Sequence, residues 1–298
     1  MPAWRRDATI ALSVVRRMEC EVRGRNFTFL AEANVLRGLD ERIDYDDDTH
    51  TYKVDGVVVP RSVTKVLKDV LDEPEFDADL VIRKNLAAWR RNPRSKYGGV
   101  VIGRTDTEAS SVIKKQWNDA NRLGTTLHRR LEGFLNGTIL PNDGETDLEW
   151  NSVVRAMETL RSAGAEAFRT ELSVFWRRQS DGAVTCAGQV DVLLKCGDGT
   201  DADYVMVDLK RTDHNLSASV PSYENKLCKA PLQKQWANHH TKFSLQLSMY
   251  CVMLKQQTGI EVPAQNRFLL RAHPSSPGAE LVPCACFDAE AEVILDSL

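Results

Sequence analysis

Two apolar segments, residues 187–194 and 204–211, flank a short run that holds Gly197, Gly199 and three aspartates. Val190, Val192, Val205 and Val207 give both segments strand character, and the glycine- and aspartate-rich run between them has the composition of a turn. Antiparallel pairing of the two commits the chain to a sheet. In a strand the side chains alternate, so Asp208 and Lys210 share one face while Val205, Val207 and Leu209 share the other. The same pairing sets Asp191 beside Asp208. Two carboxylates that close disfavour each other's ionisation unless a divalent cation lies between them. Hard oxygen ligands suit Mg²⁺ or Mn²⁺ rather than zinc.

Around this hairpin the pattern alternates between strands and helices. Residues 43–60 read as a hairpin about Asp55-Gly56, with the aspartates at 44, 46 and 48 in a solvated turn. Helical spacing is expected over residues 62–71 and over 77–91, the latter closed by Asn92-Pro93. Thr105 and Glu108 form a capping box ahead of Ala109, Val112, Ile113 and Trp117. Gly124 is expected to break that helix and start a second one bearing His128. A further helix is expected over 147–163, with Leu148, Val153, Met157 and Leu160 inward and Gly164 as its stop. The strand 170–178, the two site strands, a long connection over 213–242, a last helix over 243–257 and a strand over 267–272 follow. The connection is too long for a plain loop and is a candidate wall or lid.

Composition narrows the class. The hydrophobic share of 42% and charged share of 27% are ordinary for a globular protein. No apolar run is long enough to span a membrane, so no membrane partner is expected. Cys20, Cys186, Cys196, Cys228, Cys251, Cys284 and Cys286 are scattered and odd in number, and they read as reduced thiols of an intracellular protein. Cys186 and Cys251 read as buried small hydrophobes. Cys284 and Cys286 alone cannot supply an iron–sulfur staple. The net charge of −3 does not announce a nucleic-acid binder, but the cations are clustered. Arg83, Lys84, Arg90, Arg91, Arg94 and Lys96 surround Trp89, and Lys114, Lys115, Arg122, Arg129 and Arg130 flank His128. Such groups neutralise phosphates.

Several further motifs stand in order with the hairpin: residues 60–67 (Pro-Arg-Ser-Val-Thr-Lys-Val-Leu), 124–132 around His128, Asp191, Asp208-Leu-Lys210, and Gln246 with Tyr250. Together they resemble the PD-(D/E)XK nuclease superfamily, in its RecB-like branch, and are similar to the mitochondrial genome maintenance exonucleases and related phage or viral exonucleases. The resemblance covers about residues 43–272 and is loosened at Arg61, which interrupts the Pro-Ser-Val-Thr pattern.

The resemblance implies an α/β fold with a restriction-endonuclease-like core, a central mixed sheet flanked by helices, and a helical N-terminal half. It implies a single nuclease domain over residues 41–298 with helical insertions, preceded by an appended element over 1–40 that packs on it. A transit peptide is the alternative for that element, which Asp7 and Glu19 disfavour. The implied metal ligands are Asp191, Asp208, the Leu209 carbonyl, His128 and Glu171, with Glu132 as a further candidate. One or two Mg²⁺ or Mn²⁺ ions would be held, and the imidazole favours Mn²⁺. Lys210 would stabilise charge on the phosphate. Gln246 and Tyr250, one helical turn apart, would contact the lysine and the phosphate backbone. Arg83, Lys84, Arg90, Arg91, Arg122 and Arg129 would contact nucleic acid. The activity implied is metal-dependent hydrolysis of DNA, by an exonuclease on single strands or ends. The rivals are an RNA-directed, cap-snatching-like endonuclease and a catalytically inactive binding module.

Overall fold

The hairpin about Gly197 and Gly199 is present in the computed structural model, which describes residues 27–138, 147–199, 202–221 and 225–298. Strand β5 (Ala165–Arg177) pairs antiparallel with β6 (Val184–Cys196), and β6 pairs antiparallel with β7 (Asp203–Arg211). β8 (Arg267–Ala272) joins β7 in parallel, and β9 (Glu280–Pro283) closes that edge antiparallel. A two-residue strand, β4 (Arg61–Ser62), runs parallel to β6. The fold is therefore α/β with a mixed sheet. Val205, Met206, Val207, Asp208 and Leu209 are buried without a break, as a strand covered on both faces requires.

A parallel neighbour needs a crossover connection, and helix α7 (His239–Thr258) lies in the one between β7 and β8. Apolar residues ring α7, from Leu245 and Leu247 to Met253 and Leu254, so it is buried nearly all round. It packs on β5, β6 and helix α2 (Val63–Val70). Helix α6 (Leu148–Ser162) packs on β5 and β8 through Trp150, Val153, Met157 and Leu160. Leu148 itself is 79% exposed, against expectation, because it sits about 200° round the helix from Trp150 and off the buried stripe. The C-terminal helix α8 (Asp288–Asp296) was not foreseen; Arg267, buried at the start of β8, donates to both Asp288 oxygens and to the Val262 carbonyl.

The stretch ahead of the sheet is not wholly helical. β1 (Ile43–Asp46), β2 (Thr51–Val54) and β3 (Val57–Val58) form a separate three-stranded sheet. Asp55 and Gly56 both take positive φ, +52° and +78°, as a type I′ turn demands. Of the appended element, residues 1–26 lie outside the described residues. The rest, with helix α1 (Phe29–Ala33), lies on β5, where Asn34 Nδ2 donates to the Phe168 carbonyl at 3.0 Å and Arg169 reaches both oxygens of Asp40 at 2.9 and 2.8 Å, while the Leu30 N–H donates to Asn136 Oδ1, outside that strand, at 2.9 Å.

The chain divides into two compact units. One takes in the described residues up to Asp72 together with His128–Leu298, and the other is Glu73–Leu127. The second contains α3 (Ala78–Arg91), α4 (Gly98–Val101) and the first part of α5 (Asp106–Leu135) about a small core of Ile82, Leu86, Val101, Ala109 and Ile113. Asp77 caps α3, and the Thr105–Glu108 capping box closes with the Thr105 N–H on Glu108 Oε2 at 2.9 Å. Gly124 does not break α5, which runs through it without interruption. A glycine costs a helix interior only about 1 kcal/mol, less than the backbone bonds of so long a helix supply.

Candidate metal centre

β5, β6 and β7 bring the charged groups together. Asp191, on β6, accepts a hydrogen bond on Oδ2 from the Leu209 main-chain N–H at 2.7 Å, which ties its carboxylate to β7. The same oxygen lies 3.4 Å from His128 Nδ1, on the part of α5 that belongs to this unit. The register Thr170↔Val192 and Leu172↔Val190 sets Glu171 across from Asp191. Glu171 is in the left-handed region, φ +46°, an uncommon state for a non-glycine residue within a strand. His128, Glu171 and Asp191 each present a ligand atom within 4.8 Å of the others.

The electrostatics of this cluster are those of negative charge gathered away from water. Burial first, then Asp191, Glu132 and Asp208, push the Glu171 carboxyl up to about 9. Glu132, one turn beyond His128, is likewise raised by burial. Asp208 is 2% exposed; burial and Asp191 raise it to about 6 against the opposing pull of Lys210. Among the described residues its Oδ2 has the ion-pair contact with Lys210 Nζ at 2.7 Å, and its Oδ1 has no hydrogen-bond donor. A buried carboxylate oxygen left without a donor has a strong need for a cation. Burial opposes the Lys210 charge, but Asp208 and Asp191 prevail and raise its pKa. One imidazole and two carboxylates within 4.8 Å, with the buried Asp208 carboxyl near them, fit a divalent cation of the Mg²⁺ or Mn²⁺ kind.

The helix pair is formed as well. Gln246 Nε2 donates to the Tyr250 hydroxyl at 2.8 Å, and burial together with Asp208 holds that hydroxyl well above its usual pKa. The ring of Tyr250 lies on Gly188 of β6, where an added Cβ would come 2.5 Å from its Cε1. This fit needs a glycine, a constraint that the sequence reading missed. Phe243 is a second residue it missed: Lys210 Nζ sits 4.6 Å from the centre of its ring.

The basic residues differ among themselves. In the helical unit Arg90 pairs with Asp106 at 2.6 Å, Lys114 with Asp79 at 2.7 Å, and Arg122 with Asp119 at 3.6 Å. These acids, distant from the arginines in sequence or on another turn, offset part of the positive charge. Arg83, Lys84 and Arg91 are exposed. Arg129, in the sheet-containing unit, lies over the Phe27 ring at 5.7 Å. Cys186 and Cys251 are buried, and burial raises the Cys186 thiol to about 12.

No family model matches the chain, and no curated protein does. Among solved structures it is similar to one titled "Crystal structure of SSO0001", at 12% identity over 79% of this chain and 81% of that one, with a TM-score of 0.30. A likeness that slight says nothing of fold or function.

Proposed function

We propose that this chain is a metal-dependent nuclease of the PD-(D/E)XK type with a restriction-endonuclease-like core, hydrolysing DNA phosphodiester bonds at single strands or ends. The observation that carries the reading is the convergence of His128, Glu171 and Asp191 within 4.8 Å, on elements that also bring Asp208 against Lys210. A salt bridge built only for stability would not need three further acids, of which Asp191 and Glu132 raise the cost of charging the buried Glu171. The mixed sheet with α7 in its crossover supports the finer fold assignment.

His128, Glu171 and Asp191, with Asp208 beside them, would hold Mg²⁺ or Mn²⁺. A bound ion would supply Lewis acidity toward the phosphate and a more acidic water. The chain's own part is positioning and charge. Asp191, anchored by the Leu209 N–H, has one carboxylate orientation. Lys210, kept cationic by Asp208 and Asp191, meets charge that develops on phosphate oxygens. Gln246 and Tyr250 offer an amide and a hydroxyl to the phosphate backbone.

End-labelled linear single-stranded DNA, duplex DNA, RNA and a circular single strand, each incubated with Mn²⁺ or Mg²⁺, test the reading beside Asp208→Ala and Lys210→Ala. Loss of linear DNA that spares the circle and vanishes in both variants is expected. Cleavage of the circle makes the enzyme an endonuclease, and cleavage of RNA alone overturns the DNA assignment. Binding without cleavage by any metal overturns the enzyme.

A further inference from the structure

Lys210 carries its charge inside the fold, in direct contact with one carboxylate among the described residues and in the field of a second, Asp191. On one side of Nζ is Asp208 Oδ2 at 2.7 Å, and on another is the face of Phe243 at 4.6 Å, inside the range of a cation–π contact. Phe243 is fixed at the start of α7. There Asn238 caps the helix by accepting from the Thr241 N–H at 2.8 Å, and its own amide donates to the Val220 carbonyl at 2.6 Å. The Phe243 ring is backed in turn. His239, one helical turn earlier, stacks on it with centroids 5.9 Å apart and planes 24° apart, and His214 stacks on His239 at 4.4 Å and 18°. His214 comes from the segment after β7, where its N–H donates to Thr212 Oγ1 and its carbonyl accepts from Arg271. Three near-parallel rings therefore run from exposed His214 to the ammonium of Lys210.

We propose that Phe243 is a positioning residue for Lys210. A lysine side chain has four rotatable bonds, and a single carboxylate contact leaves several of its rotamers open. An aromatic face adds a second fixed attraction without adding negative charge, so it orients the ammonium and leaves its charge free to act on phosphate. A second contacting carboxylate in that place would orient Lys210 and neutralise it. The histidine stack holds the ring in place. This role rests on the nuclease reading, and it assigns a function to an aromatic residue outside the Gln246–Tyr250 pair.

The test compares Phe243→Leu, which keeps apolar bulk and removes the ring, with Phe243→Tyr, which keeps the ring. Lysine-labelled protein gives a readout independent of activity, because the ε-methylene protons of Lys210, assigned with Lys210→Arg, are shifted upfield by a ring above them. The shift is expected in the wild type and in Phe243→Tyr and should be lost in Phe243→Leu. On DNA, Phe243→Leu should lower kcat about tenfold with KM and thermal midpoint near those of the wild type, and Phe243→Tyr should stay within about twofold. Equal kcat in the two variants, or a loss that tracks the thermal midpoint, overturns the positioning role while hydrolysis by the wild type upholds the nuclease. A normal shift in a wild type that cleaves no nucleic acid overturns the nuclease reading and this role with it, leaving only the contact.

Discussion

Replacing Glu171 with Gln should make the metal-free protein more stable, by an amount that grows with pH. In the unfolded chain this carboxyl ionises near 4.5, whereas in the fold it holds its proton up to about 9. Above the unfolded value the unfolded state therefore binds fewer protons than the folded one, and stability falls as pH rises until the folded carboxyl also ionises. At pH 7 the interval above 4.5 is about 2.5 pH units, which at about 1.4 kcal/mol per unit makes the penalty at most about 3.5 kcal/mol. Gln has nearly the same shape and no proton to lose. Urea unfolding in the presence of a chelator, followed by tryptophan fluorescence, should show wild type and Glu171→Gln alike near pH 4, with the variant ahead by a growing margin toward pH 8. Mn²⁺ should then narrow the gap, because a cation stabilises the ionised carboxylate that Gln lacks. A gap that stays constant from about pH 4 to pH 8, or a variant less stable throughout, would falsify the reasoning: Glu171 would then be folding in its charged form.

Asp208→Asn should abolish metal-dependent DNA hydrolysis while the metal-free fold survives, since burial already taxes the Asp208 charge; activity and urea midpoint measured side by side check this. Gly188→Ala should cost about 1–3 kcal/mol by forcing a methyl against Tyr250 Cε1 and Val63 Cγ2, read as a lower urea midpoint. Asp147→Ala removes the side-chain cap of α6, where Asp147 Oδ1 accepts from the Trp150 N–H at 3.0 Å, together with the ion pair its other oxygen makes with Arg130, and should cost about 1–2 kcal/mol in the same assay.

What the sequence made legible was what local rules write. The alternation around Asp191 and Asp208, the Gly197–Gly199 turn, the Asp55-Gly56 turn and the Thr105–Glu108 box each depend on residues a few positions apart, and each is found in place. Gly124 misled because a propensity read one residue at a time ignores the length of helix on either side. The capture of Lys210 by Phe243 and the fit of Tyr250 on Gly188 join residues far apart in the chain, and no spacing rule announces them. Glu171 was legible as an acid near the site, but no local rule announces its left-handed backbone, which is uncommon for a residue that is not glycine. Helix α8 is short, and besides a small buried face of Ala291, Ile294 and Leu295 it is held by the Arg267–Asp288 pair, which no local pattern announces.

The bond between Arg169 and Asp40 bears on how the chain can be shortened. Arg169 is 7% exposed at its side chain and stands two residues before Glu171 on β5. A version trimmed to begin after Asp40 would leave that guanidinium without its carboxylate and without the Asn34 carbonyl it also donates to. That would leave a nearly buried cation without its carboxylate on the strand that presents a candidate ligand, a cost of desolvation with nothing to offset it. The stretch from Asn34 to Asp40 thus belongs to the sheet-containing unit, and a shortened chain has to begin ahead of Asn34 to keep it.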